Sequence, residues 1–330
     1  MFIIADGNNL AWAGYHALRR SMASETPAQK VRCALLGLTQ SVIGLVIRGG
    51  EPPIAGRPEH TASMFARKAT RLAVVFDQGR PIRRRAIYPP YQTGRESDPS
   101  FMENEDHVVE AIRQFSEMAT LLPATIARGL NTEADDLISF LALAAPGPVR
   151  IASTDRDFLQ LVDERVTIYS TVKRVVIDVE SFDAQAAPRT ASGEPVIFPR
   201  ERYLDYRAAS GDSSDDLPGI PGLGTIGAAR LLAAAPLDAY LADPALAAHA
   251  LGRQNAKLAA SLTSGAAAAI VARNRALMDL RAAAARYESI DDMLTVGHWD
   301  EAVFRAWVAH QRIAGLEVES AVRALTPLAG

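Results

Sequence analysis

The sequence predicts an α/β fold, a mainly parallel sheet flanked by helices, followed by a C-terminal helical domain. Three observations carry this. Apolar runs at 2–6, 72–77 and 149–155 are short and near-continuous, as strands buried on both faces are, and each closes on an aspartate: Asp6, Asp77 and Asp155. Segments between them repeat apolar residues at helical spacing, as Val108, Val109, Ile112, Phe115 and Met118 do. From 183 to 199 the composition turns to Ala, Pro, Ser and Gly, and the remainder, rich in Ala, Leu and Arg, reads as helices to the end. The alternation makes a doubly wound domain over 1–190, with the helical domain over 191–330.

Element by element, a strand at 2–6 leads into a helix over 10–20 and another over 28–47. A Gly/Pro-rich stretch at 49–58 punctuates the chain before the strand at 72–77. Residues 80–99 are basic, with Tyr and Pro interspersed, and lack a clean apolar period. A helix follows over 101–122, a short strand at 124–127 and a helix at 133–144. Strands close the domain at 149–154, 166–169 and 174–179. No internal repeat is evident.

Composition narrows the class. Of 330 residues, 48% are hydrophobic, enough for a full core. Cys33 is the single cysteine, which excludes an internal disulfide framework and a Cys-rich zinc site. The six histidines are unclustered, which favours oxygen-ligated Mg²⁺ or Mn²⁺ over zinc. No basic leader precedes the first apolar run, and Asp6 interrupts it, unlike a secretory signal. The longest apolar stretch, 33–47, is too short to span a bilayer and reads as a core helix. A soluble, reducing, cytoplasmic setting without a membrane partner is the expectation. The net charge of −3 does not exclude a polyanionic partner, because clustered acids neutralised by metal would leave the remaining surface basic.

In open α/β sheets ligands bind beyond the carboxyl ends of the strands. An acid placed there three times, joined by Glu133, Asp135, Asp136, Asp157, Asp212 and Asp215, gathers negative charge that cations must offset. Each cluster has an ordinary reading. Thr132 with Asp135 fits a helix capping box, Asp155 and Asp157 a surface turn, and Asp212 with Asp215 a helix start. Their joint occurrence is more specific. It points to two hard cations about 4 Å apart, suited to in-line displacement at phosphorus, where one activates water and the other stabilises the leaving oxygen.

A second signal is the stretch 217–232, in which Gly222 and Gly224 flank Leu223 in a tight turn and Thr225 opens a helix packed through Ala228, Leu231 and Leu232. Its backbone N–H groups can cradle a phosphate without reading sequence. An ordinary helix–turn–helix joint is the alternative.

Together these motifs resemble the 5′-nuclease family: the 5′→3′ exonuclease domain of DNA polymerase I, the phage 5′-exonucleases and the flap endonucleases. Residues 6–12 and 15–18, then 76–77, 133–136, 153–157 and 211–215, match its blocks in order, and 217–232 resembles its helix–three-turn–helix element. The similarity spans roughly 1–235. The resemblance implies a resolvase/PIN-like domain and a stand-alone, monomeric nuclease acting on DNA with 5′ ends or flaps, or on RNA–DNA hybrids. Asp6, Asp77, Glu133 and Asp135 would build one metal site with Asp136 in support, and Asp155, Asp157, Asp212 and Asp215 the other, for two Mg²⁺ replaceable by Mn²⁺. A K⁺ would sit at the helix–three-turn–helix, about 212–234. Residues 80–122 would form an arch, with Arg83, Arg84, Arg85 and Arg95 on phosphates and Tyr88 or Tyr91 stacking on a base.

Two positions depart from the family pattern. Gln92 stands where a lysine usually approaches the scissile phosphate, and Ala13 where the polymerase branch carries an arginine. Either arginines 83–85 substitute, or turnover is slow. Two rival functions fit the same residues: a non-catalytic branched-DNA binder on this scaffold, and a metal-dependent ribonuclease.

Overall fold

The computed structural model describes residues 1–48, 69–252, 255–313 and 316–329. The Gly/Pro-rich stretch expected at 49–58 lies outside them. Strand β1 (Phe2–Asp6) is followed by α1 (Gly7–Leu18), α2 (Pro27–Arg48) and β2 (Arg71–Val75). Helices α3 (Ile82–Ile87) and α4 (Pro99–Ala119) are separated by a 3₁₀ turn at Gly94–Ser97. Next come β3 (Thr125–Ala127), α5 (Ala134–Ala144), β4 (Val149–Ala152), a 3₁₀ turn at Asp157–Leu161, β5 (Val166–Ser170), β6 (Val175–Ile177) and α6 (Phe182–Ala186). Beyond lie α7 (Tyr203–Ser210), a two-stranded ladder of β7 (Gly211–Asp212) and β8 (Leu217–Pro218), and α8 (Gly224–Ala234). The remaining elements are α9 (Leu237–Ala242), α10 (Pro244–Leu251), α11 (Ala256–Leu262), α12 (Gly265–Met278), α13 (Leu280–Ala284), β9 (Leu294–Val296), α14 (Glu301–Gln311) and α15 (Val318–Leu325).

Among the described residues the main sheet has the order β6-β5-β4-β1-β2-β3-β9. β1 lies between β2 and β4, parallel to both, with Phe2 opposite Arg71 on one side and Val149 on the other. β3 and β5 continue the parallel set, and β6 and β9 pair antiparallel at the edges. The pleat divides the core. Ile3, Ala5, Leu72 and Val74 face a cluster with Leu10, Leu36, Phe115, Phe304 and Leu325. Phe2, Ile4, Ala73 and Val75 face the other, which runs through Leu137 and Phe158 to Tyr203, Leu231 and Val271. One continuous apolar cluster therefore crosses residue 190.

Two expectations are corrected. The chain is not helical to its end, because Leu294–Val296 returns as an edge strand of the main sheet against β3. The apolar stretch at 33–47 belongs to a longer helix that is long and apolar enough to cross a membrane by length and composition, over Pro27–Ile47. In this fold it is a core helix: Cys33, Leu36, Val42 and Ile43 are buried against α1 and α4. A Cβ on Gly14 would lie 2.6 Å from the backbone of Gly37, so α1 and α2 touch backbone to backbone.

Candidate active site

The parallel register carries three acids to one edge. Asp6 ends β1, Asp77 lies two residues past β2, and Asp155 lies three past β4. Asp6 also N-caps α1, accepting from the Asn9 N–H at 3.1 Å, and its other oxygen accepts from Ser153 Oγ at 2.7 Å. Asp77 accepts from the Ala134 N–H at 2.6 Å, which fixes the start of α5 and hence of Glu133 and Asp135 beside it. The Asn8 side chain accepts from the Asp77 N–H, and Asn9 bridges to Thr154, tying the three strand ends together.

These residues open on a cavity of about 790 Å³ lined by Asp6, Asp77, Glu133, Asp135, Asp155 and Asp215, with Gln92 and Arg95 at its wall. Asp157, Asp212 and Asp215 form an adjoining group, each offering an oxygen within 4.8 Å of the others. The β7–β8 ladder positions Asp212 and Asp215. Gly211 has φ +75°, and a Cβ there would run into the backbone of Leu217, Pro218 and Gly219.

Burial dominates the electrostatics. It raises the Asp6 carboxyl to about 7, with Asp77 and Asp155 adding to the rise against hydrogen bonds from Ser153 and Asn9. Burial also raises Asp77, Glu133 and Asp215, and lifts Asp135 well above the carboxylate range, helped by Asp155 and Asp6. Asp157 is pushed up to about 7 by burial and then by Asp155. Asp212 alone in its group is lowered: burial acts upward, but Arg207 and Ser214 outweigh it. Asp155 acts on Asp6, Asp135, Asp157 and Asp215, so its charge lies between the two groups.

The donor set fits hard divalent ions. It is all carboxylate oxygen, and among the described residues Asp6, Asp77, Asp135 and Asp155 make no ion pair. Arginines balance the rest. Arg84 pairs with Glu133, Arg95 with Asp215 at 2.9 Å, and Arg207 with Asp157 at 2.7 Å and with Asp212.

The other residues expected to support the ions or meet DNA are placed as follows. Asp136 does not line the cavity; it pairs with Arg84 at 2.9 Å and Arg286 at 2.6 Å. Arg84 is 2% exposed and held by Glu133 and Asp136, so it is not a surface contact for phosphate. Arg85 folds back on the Tyr91 and Gln92 carbonyls and on Glu96. Arg83 is half-buried, and its Nη2 is enclosed without a hydrogen-bond partner. Tyr91 is buried, its hydroxyl between Glu133 (3.2 Å) and Asp215 (3.3 Å), so its ring is closed to a base. Tyr88 is half-buried with the Arg273 guanidinium 4.3 Å from its ring centre. Gln92, at φ +55°, donates to Asp215 Oδ1 at 2.9 Å. Gly222 (φ +83°), Gly224 (φ +61°) and Thr225 lie outside the cavity, exposed around the start of α8. Sequence reasoning missed Ser153, Asn8, Asn9 and Thr154 as supports of the acids. Their one signal was proximity to Asp6 and Asp155 in the chain. It also missed Arg207, which is one of many arginines on ordinary helices.

Residues 1–187 match the family described as 5′-3′ exonuclease, N-terminal resolvase-like domain. The chain belongs to the 5′-3′ exonuclease family. Within reach of this family, DNA polymerase I of Mycobacterium tuberculosis is 31% identical over 281 residues, covering 84% of this chain and 27% of that one. The chain thus spans about a quarter of the length of the polymerases it matches first. Flap endonuclease Xni of a Shewanella species is 28% identical over 235 residues, 70% of this chain and 73% of its own. Among solved structures, the T5 5′-exonuclease with bound zinc shares the fold, with a TM-score of 0.61 over 100% of this chain and 99% of that one at 17% identity. Human GEN1, solved with Holliday junction DNA, aligns at a TM-score of 0.53 and 12% identity over 99% of this chain and 71% of its own. The resolvase-like α/β fold expected of a 5′-3′ exonuclease is the fold observed.

Proposed function

We propose that this chain is a structure-selective 5′ nuclease that hydrolyses DNA phosphodiesters near a 5′ end or at the base of a 5′ flap. The observation that carries the reading is the convergence of Asp6, Asp77, Glu133, Asp135, Asp155 and Asp215 on one cavity in a 5′-3′ exonuclease family member. Asp6, Asp77, Glu133 and Asp135 would hold one Mg²⁺, and Asp157, Asp212 and Asp215 a second, with Asp155 between them. When bound, the pair supplies an activated water and stabilisation of the leaving oxygen. Mn²⁺ serves in its place.

The protein's own residues do the rest. Ser153 and Asn9 fix Asp6, and the Ala134 N–H fixes Asp77, so the oxygens are aimed before substrate arrives. Asp136 acts at one remove, by holding Arg84 against Glu133. Arg95, 44% exposed at its side chain, lies on the cavity wall and can reach a phosphate oxygen, the role left open by Gln92. The exposed turn at Gly222–Thr225 and the N–H groups that open α8 suit a backbone phosphate of the duplex, as a helix–three-turn–helix would. Arg85 lines the cavity while held by Glu96 and two backbone carbonyls, and Tyr88 contributes to the shape of the arch base.

An end-labelled 5′-flap duplex tests the reading. Cleavage at or near the flap junction with Mg²⁺ or Mn²⁺, and none with chelator, is the expected result. Binding without cleavage in every metal would instead establish the non-catalytic rival, and a preference for all-RNA substrates the ribonuclease.

A further inference from the structure

The two groups of acids are balanced differently. Asp6, Asp77, Asp135 and Asp155 make no ion pair among the described residues, whereas Asp157 and Asp212 share one guanidinium. Arg207 lies one turn before the end of α7, whose Gly211 C-cap (φ +75°) reverses the chain so that Asp212 returns beneath the guanidinium. Nε donates to Asp157 Oδ1 at 2.7 Å and Nη2 to Asp212 Oδ2. The remaining Asp212 oxygen accepts from the Ser214 N–H (2.8 Å) and Oγ (2.6 Å). The Arg207 side chain is only 12% exposed, so water screens this charge poorly.

Resting on the two-ion reading above, we infer that Arg207 is the resident counter-cation of the second ion's site: it holds Asp157 and Asp212 together before that ion arrives and makes its binding weak. It is a positioning residue. A fixed charge within a few ångströms of an incoming dication opposes it, and in a partly buried site this exceeds a factor of ten in affinity. In the first group only Glu133 has a cationic partner, Arg84, and Asp136 shares that charge, so the first ion is opposed less and the sites fill in order. A merely structural arginine predicts the opposite sign, since losing it would splay the acids and weaken the ion.

Calorimetric titration of the full chain with Mn²⁺ at pH 8, without DNA, tests this. The wild type takes up two ions, one tightly and one weakly. Arg207→Gln, which keeps hydrogen-bonding capacity without charge, should bind the weak ion about tenfold tighter or more. Arg207→Lys, which keeps the charge, should stay close to wild type. Unchanged or weakened second-ion binding in Arg207→Gln overturns the inference. Should that variant fail to fold, the wild type decides: the Arg207 Nε–H resonance, assigned by its loss in Arg207→Lys, must shift with the second Mg²⁺ equivalent and not the first. No shift with the second overturns the inference. A wild type that takes up one ion or none removes the two-ion reading itself, and this inference with it.

Discussion

Replacing Asp6 by Asn should make the metal-free protein more stable at neutral and alkaline pH. Asp6 is buried at the end of β1, and its carboxyl is raised from 3.8 to about 7. Between those values the folded chain holds a proton that the unfolded chain has released. Stability from this group is therefore complete below about pH 4 and is lost as pH rises through 7. A shift of about three units corresponds to about 4 kcal/mol at 1.36 kcal/mol per unit, an upper bound because the site relaxes and admits water. Asn keeps the cap on Asn9 and carries no charge to desolvate. The assay is urea unfolding in chelator at pH 5 and pH 8, followed by circular dichroism. The wild type should lose midpoint between pH 5 and 8. Asp6→Asn should lose less and exceed the wild type at pH 8 by about 2–4 kcal/mol. Added Mg²⁺ should restore the wild type at pH 8 and leave the variant nearly unmoved. Equal slopes in the two proteins, or a variant less stable at pH 8, would refute the idea that Asp6 is held at an electrostatic cost.

Asp155→Asn, which removes the charge between both groups, should abolish flap cleavage while leaving DNA affinity by gel shift within a few fold. Arg84→Met should destabilise the fold by about 3–5 kcal/mol in chemical denaturation, because Glu133 then lacks a cationic partner and Asp136 keeps only Arg286. Gly211→Ala should cost more than 1 kcal/mol from its positive φ and its backbone clash, and should lower second-ion affinity in a Mn²⁺ titration before it unfolds the chain. Arg95→Ala should reduce the cleavage rate about a hundredfold at saturating DNA, checked by single-turnover kinetics.

The sheet was legible because its central strands are buried on both faces and so appear as unbroken apolar runs, with boundaries within two residues of those observed at β1, β2 and β4. Helix α3 was not. Its one fully buried residue is Arg84, so the core contact is an ion pair and leaves no apolar period. Strand β9 is three residues long, with Thr295 and Val296 exposed, too short to alternate. At the site, the strand-terminal acids could be read because topology alone sends them to one edge. The counter-cations could not, since only the tertiary fold tells Arg84 and Arg207 from solvated arginines. Tyr91 was misread for a related reason. An aromatic in a basic loop looks like a stacking platform, yet its hydroxyl lies within hydrogen-bond distance of the Glu133 and Asp215 carboxylates, and having a partner there lets the ring be enclosed.

The last strand to join the main sheet has a consequence for biosynthesis. Thr125–Ala127 presents a bare row of peptide groups until Leu294–Val296 has left the ribosome, roughly ten to thirty seconds later at ordinary translation speeds. Throughout that interval the nascent chain offers a template for strands of other molecules. Assembly of this protein should accordingly depend on chaperone supply and crowding more than its finished surface suggests.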